Sequence, residues 1–92
     1  MTKEEIEKTQ DVNVLYSRIL DLLGILASND YKNTKNGEAE RAGVSPLPYD
    51  PVALYHENQG YREEIGWCKK RIEEIETVAF INQNTPKIEI KL

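Results

Sequence analysis

The strongest periodic signal in the chain lies in residues 50–79, which read DPVALYHENQGYREEIGWCKKRIEEIETVA. Apolar residues and one asparagine alternate there at spacings of four and three over more than three heptads: Leu54, Asn58, Tyr61, Ile65, Cys68, Ile72, Ile75 and Ala79. This pattern is typical of a helix that packs against other helices along one seam. Asp50 caps a first turn, and Pro51 needs no N–H at the first helical position. We predict a helix over residues 51–79, with Gly60 as the place where it bends most easily.

The first thirty residues carry a second apolar pattern. Thr2 and Glu5 have the spacing of a capping box, in which each side chain accepts a hydrogen bond from the other residue's backbone N–H. Apolar residues then recur at spacings of three and four, as in a helix with one packing seam: Val12, Leu15, Ile19, Leu22 and Leu26. Others fall on different faces of the same helix: Val14, Tyr16, Leu20, Leu23 and Ile25. We predict a helix over residues 1–29 that is apolar on more than one side.

Residues 30–50 are rich in turn formers. Asn36 and Gly37 form a strong turn dipeptide, and Pro46 and Pro48 follow within the same segment. We predict a loop over residues 30–50. A connection of about twenty residues is uncommon inside a compact domain and is usually either functional or disordered.

The end of the chain changes its period to two. Apolar and charged residues alternate there, as in a half-buried strand: Lys87, Ile88, Glu89, Ile90, Lys91 and Leu92. We predict a β tail over residues 80–92, formed as a short strand or hairpin. Residues 1–92 then make one mainly α domain, in which an antiparallel two-helix hairpin with a long loop carries this short β element.

Composition limits both the core and the partners. The 92 residues include 12 Lys and Arg against 16 Asp and Glu, one cysteine and one histidine. A domain this small buries a marginal core, and it often needs a metal, a disulfide or another copy of itself. One cysteine and one histidine supply neither a disulfide nor a structural zinc site. The net charge of −4 argues against general nucleic-acid binding, and no apolar stretch or leader pattern suggests a membrane. We expect a soluble, cytoplasmic protein.

Because the small core has neither a disulfide nor a metal to stabilise it, we predict that the chain self-associates. Two helices cannot bury apolar surface on several sides, so we expect copies of the chain to pack as a homo-oligomeric helical bundle of coiled-coil character. A polar residue on a seam, such as Asn58, can fix register or oligomeric state. The residues expected to make this interface are Leu15, Ile19, Leu22, Leu26, Asn58, Tyr61, Ile65, Ile72 and Ile75.

Aromatic and cationic residues cluster in the predicted loop and at the start of the second helix. Aromatic faces stack on bases, and guanidinium and ammonium groups bind phosphates. We therefore predict a ligand or partner surface formed by Tyr31, Lys32, Arg41, Tyr49, Tyr55, His56, Arg62 and Trp67.

Catalytic patterns are missing from the sequence. All-α nucleotide pyrophosphatases hold magnesium with carboxylates clustered on their helices. Their second motif has a glutamate three residues before an aspartate. In this chain Arg18 occupies the position three residues before Asp21. We expect Glu63 and Glu64 to lie on a solvated face. Cys68 lies on the apolar seam, twelve residues from His56, so the two cannot pair within one helix. We predict no enzyme, no metal and no cofactor.

Three hypotheses for the function remain. The first is a non-enzymatic helical binding protein that self-associates; in size, acidity and lack of catalytic motifs the chain is similar to small phage accessory proteins. The second is an oligomeric sponge that sequesters an anionic, nucleotide-like ligand in pockets between subunits. The third is an inhibitor that docks on a larger host protein.

Overall fold

A computed structural model describes residues 1–84 of the chain. These residues form three helices: α1 (Lys3–Lys8), α2 (Val12–Arg41) and α3 (Pro51–Asn84). The helices α2 and α3 are antiparallel. Tyr16 near the start of α2 contacts Glu76 near the end of α3, whereas Asn29 further along α2 contacts Asn58 nearer the start of α3. The predicted antiparallel helical hairpin is therefore confirmed. The short helix α1 packs against α3 beside the hairpin.

The prediction of one helix over residues 1–29 is wrong. The capping box forms as expected, with 3.2 Å hydrogen bonds from the Glu5 N–H to Thr2 Oγ1 and from the Thr2 N–H to Glu5 Oε1. However, α1 ends at Lys8, and Asp11 caps α2 by accepting a hydrogen bond from the Asn13 N–H at 2.9 Å. Ile6 is completely buried in the core. The break thus allows α1 to turn back onto α3.

The predicted loop over residues 30–50 is also largely wrong, because α2 continues to Arg41. Asn36 and Gly37 form no turn. Instead, the Asn36 amide donates to the Tyr49 carbonyl at 2.9 Å and accepts from the Tyr49 N–H at 3.0 Å. One buried side chain thereby ties α2 to the residue that precedes the cap of α3. This tertiary contact outweighs the local turn preference.

The helix α2 ends where the backbone reaches Gly43. Gly43 has a φ of 70°, which side chains with a Cβ rarely adopt. The Gly43 N–H donates to the Glu40 carbonyl at 3.1 Å, and the Val44 N–H donates to the Ala39 carbonyl at 2.8 Å. These two bonds form a Schellman motif. The connection is therefore short and covers only residues 42–50.

The start of α3 follows the prediction, and its end does not. Asp50 Oδ1 accepts the backbone N–H groups of Val52 and Ala53 at 2.9 and 3.2 Å. The helix passes through Gly60 without interruption and continues to Asn84. Residues 80–84 are thus helical rather than part of a β tail, since extending a formed helix costs far less than starting one. The predicted alternation at Ile88, Ile90 and Leu92 lies outside the described residues.

The apolar core occupies only part of the hairpin. Its buried cluster joins all three helices and consists of Ile6, Leu15, Ile19, Leu22, Ile65, Cys68 and Ile72. Towards the connection the seam becomes polar, because buried Asn29 donates its amide to Asn58 Oδ1 at 2.8 Å. Asn29 and Asn58 define the register of the hairpin: the numbers of two residues at the same level of α2 and α3 sum to 87. Val12 therefore lies level with Ile75. The last two turns of α3 extend beyond α2.

Candidate binding surface

The two sides of the hairpin differ in what lies on them. On the side that we call the covered face, α1 packs against α3, and Arg71 Nε donates to the Thr9 carbonyl at 2.9 Å. On the opposite side, Tyr16 Oη reaches across the seam and donates to Glu76 Oε1 at 3.0 Å. We call this side the open face, because within residues 1–84 no other helix lies over it.

An ion pair fastens the covered face. Glu64 is buried and accepts hydrogen bonds from Arg18 Nε and, at 3.1 Å, from Arg18 Nη2. The Met1 ammonium lies 3.2 Å from the same carboxylate. Hydrogen bonding to Arg18 lowers the pKa of Glu64 and raises that of Arg18. The expectation that Glu64 is solvated is therefore wrong, and its carboxylate is engaged in a structural ion pair.

An apolar stripe runs along α2 on the open face. Its residues follow helical spacing from the Tyr16–Glu76 contact: Tyr16, Leu20, Leu23, Ala27 and Tyr31. All five are exposed, and Leu20 exposes 68% of its surface. The stripe is continuous over four turns, so it forms a connected apolar surface rather than scattered residues.

A more polar stripe of α3 lies beside it on the open face. Lys69 and Glu73 line a shallow groove together with Tyr16. Steps of three and four residues extend this stripe along α3 to Gly66, Arg62, Gln59 and Tyr55. A Cβ on Gly66 would meet no atom of the described chain within 4 Å, and the same holds for Gly24 on α2. The open face thus includes two small positions that packing inside the described hairpin does not require.

Some of the predicted ligand residues between positions 31 and 49 contact each other. The Lys32 ammonium lies 5.6 Å from the centre of the Tyr49 ring, and the Lys35 ammonium lies 5.4 Å from that of Tyr31. Lys35 also forms a 3.2 Å ion pair with Glu38. These cations are already placed on aromatic rings of their own chain. Arg41 is exposed at the last residue of α2.

The other predicted ligand residues are spread along α3. The rings of Tyr55 and His56 contact edge to face at 5.6 Å, and the Tyr55 hydroxyl accepts a 2.7 Å hydrogen bond from Gln59. Arg62 lies on the open face. Trp67 is half-buried against the core beside α1, about 18 Å further along the helix axis than Tyr55. The eight residues therefore do not form one site.

The groove that contains Trp67 lies between α1 and α3. It encloses about 280 Å³, and its charged lining residues are Lys3, Glu7, Lys70, Arg71 and Glu74. This volume is just below the usual range of ligand pockets, which begins at about 300 Å³. The carboxylates offset most of the cationic charge, so the groove does not favour an anion strongly.

The predicted assembly residues lie inside the chain. Six of them are buried between the helices: Leu15, Ile19, Leu22, Asn58, Ile65 and Ile72. The other three, Leu26, Tyr61 and Ile75, are partly buried against the same core. These side chains join α2 to α3 within one chain. Any contact between copies that leaves this hairpin intact would use exposed residues instead, such as Leu20, Leu23, Gly24 and Ala27 on the open face.

Within residues 1–84, the cysteine is buried and the possible metal-ligating side chains do not cluster. Cys68 is completely buried, and burial raises the pKa of its thiol. In the described part of the chain, no three His, Cys, Asp or Glu side chains converge as metal ligands. Neither long helix, as far as the structure describes them, has an apolar stretch that would allow it to cross a membrane.

The surface that the geometry singles out is thus an apolar and polar pair of stripes on the open face. Comparison of the chain with protein-family models, curated proteins and solved structures gives no match.

Proposed function

We propose that the protein is a non-enzymatic helical binding module that works as a self-associated assembly. One observation carries this proposal: the described residues expose thirteen large hydrophobic side chains and bury only eight apolar ones. Exposed apolar residues are normal when scattered, but here several form a continuous stripe on one side of α2. Burial of such a stripe in a helical bundle supplies the stabilisation that a small single core lacks.

Light scattering coupled to size exclusion tests the proposal. The full chain at micromolar concentration should elute with at least twice the mass of one chain. The apparent mass should fall on dilution, because association depends on concentration. A single-chain mass across the whole micromolar range would contradict self-association.

A second candidate function is the sequestration of an anionic, nucleotide-like ligand between subunits. The observation that favours it is the pairing of Lys32 with Tyr49 and of Lys35 with Tyr31 in and beside the last turns of α2. Rings and cations in this arrangement are able to stack on a base and bind its phosphates. Calorimetric titration with nucleotides and cyclic nucleotides should then show saturable binding that the Lys32→Ala variant loses. Equal heats for the variant and the natural chain would remove the support for this candidate.

A host protein as the partner is the third candidate. The end of α3 extends beyond α2 and exposes Val78, Phe80 and Ile81. An apolar helix end of this kind fits a hydrophobic groove on a larger protein. If this candidate holds, the natural chain recovers one stoichiometric partner from a bacterial lysate, and the Phe80→Glu variant recovers much less of it.

A further inference from the structure

We propose that the open face is a twofold-symmetric interface in which two hairpins pack face to face as an antiparallel four-helix bundle. This inference rests on the proposed self-association and names the surface, the partner and the register. The partner is a second copy of the chain. In the arrangement, α2 packs on α2 of the partner copy and α3 packs on α3 of the partner copy, with the twofold axis perpendicular to the helices.

The apolar stripe of α2 is complementary to itself. An antiparallel pair of identical helices places residue i opposite a residue such that the two numbers have a constant sum. With a sum of 47, Tyr16 faces Tyr31, and the larger Leu20 faces the smaller Ala27. Leu23 then faces Gly24, which has open space around it. Both leucines therefore meet a small residue near the axis, as close helix packing requires, and the two tyrosines meet at the ends of the stripe.

The polar stripe of α3 obeys the same symmetry. With a sum of 128, Tyr55 faces Glu73, Gln59 faces Lys69, and Arg62 faces Gly66. No two like charges face each other, and Gly66 leaves room for the Arg62 side chain. The Tyr55 hydroxyl accepts from Gln59 and still has a proton to donate to the facing Glu73 carboxylate.

The two stripes share one axis. The symmetry centre of the α2 stripe lies between Leu23 and Gly24, and that of the α3 stripe lies at Glu64. The Asn29–Asn58 hydrogen bond gives the register of the hairpin independently. In this register, the midpoint of residues 23 and 24 lies level with residues 63 and 64. One twofold axis therefore satisfies both stripes, which is a property expected of an interface with a second copy and not of a surface for an unrelated protein.

The two open-face glycines fit this arrangement. A glycine inside a helix costs roughly 1 kcal/mol relative to alanine. Gly24 and Gly66 lie in helix interiors, where the described chain leaves space for a Cβ. Close approach of another helix gives a reason for both, because small residues let backbones come near each other.

Residues 85–92 are too short to cover the whole of the α2 stripe. Residues 85–92 span at most about 29 Å when fully extended. Tyr31 lies level with His56, which is 28 residues and about 42 Å of helix before Asn84. This segment therefore cannot reach the far end of the stripe.

Cysteine cross-linking in the full chain tests the register. The Leu23→Cys variant places its thiol near the twofold axis, so mild oxidation should give a covalent dimer. The Leu20→Cys variant places the two thiols about seven residues apart along the helices, so it should stay uncrosslinked. The double variant Leu20→Cys with Ala27→Cys should cross-link efficiently. The natural Cys68 is buried, and the natural chain serves as the background control.

The outcomes separate this inference from the proposed function. A natural chain that is dimeric by light scattering, with Leu20→Cys cross-linking to itself as readily as Leu23→Cys, would overturn the antiparallel register. A dimeric chain in which none of these variants cross-links would place the interface elsewhere. A monomeric natural chain would remove the proposed self-association itself.

A size exchange tests the packing. Leu20→Ala alone should raise the dissociation constant of the dimer roughly tenfold, and Ala27→Leu alone should weaken it comparably through a clash. The double variant restores one large and one small side chain at each contact, so it should recover most of the affinity. Additive losses in the double variant would contradict the pairing of these two positions. Circular dichroism should be unchanged throughout, because both residues are exposed in the hairpin.

Discussion

The covered and open faces belong to the same two helices but differ in how their apolar side chains are shielded from solvent. On the covered face the chain supplies its own third helix: Ile6 fills the core, Arg71 holds the Thr9 carbonyl, and Arg18 neutralises the buried Glu64. On the open face the stripe from Tyr16 to Tyr31 is left exposed by the described residues. The contrast teaches that exposure on the open face is not a general shortage of covering structure. The described chain places a helix on one side only, and the proposed contact with a second copy would cover the other side.

The largest expected effect comes from placing the same charge on each face. Ile6→Asp puts an unpaired carboxylate where the side chain is completely buried, so it should lower the unfolding free energy by about 3 kcal/mol or more. Leu20→Asp should change the stability of the single hairpin by only about 0.5 kcal/mol but abolish self-association. Urea unfolding at low concentration and light scattering at high concentration measure the two effects. Equal destabilisation by both variants would mean that the two faces do not differ.

A matched pair of exposed residues sharpens this comparison. Leu23 on the open face and Val14 on the covered side of α2 are exposed to nearly the same extent, 48% and 46%. If exposure alone decided, Leu23→Asp and Val14→Asp would weaken association equally. The open-face interface predicts that only Leu23→Asp does so.

The seam residues could be predicted from the sequence, whereas the faces could not. Heptad spacing identified Leu15, Ile65 and Ile72 because one buried side repeats every three or four residues. It could not show whether they pack within the chain or between copies, since either partner offers the same apolar surface. Trp67 and Tyr55 lie on different sides of α3 because of their positions around the helix. The predicted ligand surface was chosen by residue type alone and did not take those positions into account.

The helix boundaries were missed for more local reasons. Residues 9–11 contain neither glycine nor proline, so the break after α1 depended on Asp11 acting as a second cap. Asn36 looked like a turn former, but its amide pairs with both backbone groups of Tyr49. Such tertiary hydrogen bonds leave no periodic signal in the sequence.

The ion pair on the covered face predicts a pH-dependent stability. Its hydrogen bonds hold the pKa of Glu64 below the ordinary value of 4.5, so the ionised carboxylate stabilises the fold above pH 4.5. This contribution should be lost as the pH falls through the lowered pKa. Glu64→Gln should therefore cost about 1–2 kcal/mol at neutral pH, and the difference from the natural chain should shrink in acid.

The adjacent carboxylate is the control for that experiment. Glu63 is exposed, and Glu63→Gln should change the stability by less than about 0.5 kcal/mol at any pH. Parallel stability curves for Glu64→Gln and the natural chain from pH 7 to pH 3 would show that the Glu64 ion pair does not contribute.

At the polar end of the seam, replacing one asparagine should destabilise the hairpin more than replacing both. Asn58→Ala leaves the buried Asn29 amide without its acceptor, so it should cost about 1–3 kcal/mol. Replacement of both residues by leucine should be nearly neutral or stabilising, because no polar group is then left unpaired. Thermal unfolding of the single and double variants measures the difference. A double variant that is less stable than the single one would show that the pair stabilises the hairpin beyond its own desolvation.

The smallest expected effect comes from replacing one glycine on the open face and one outside it by alanine. Gly60 is exposed on α3 outside the seam and outside the open-face stripe, so Gly60→Ala should stabilise the chain by about 0.5–1 kcal/mol and leave association unchanged. Gly24→Ala should give the same gain for the single hairpin, since the space around it in the described chain is equally open. In the proposed dimer, however, its methyl group would meet Leu23 of the facing helix. The two variants should therefore agree in urea unfolding at low concentration and differ in dissociation constant, and a shared gain in both measurements would place Gly24 outside the interface.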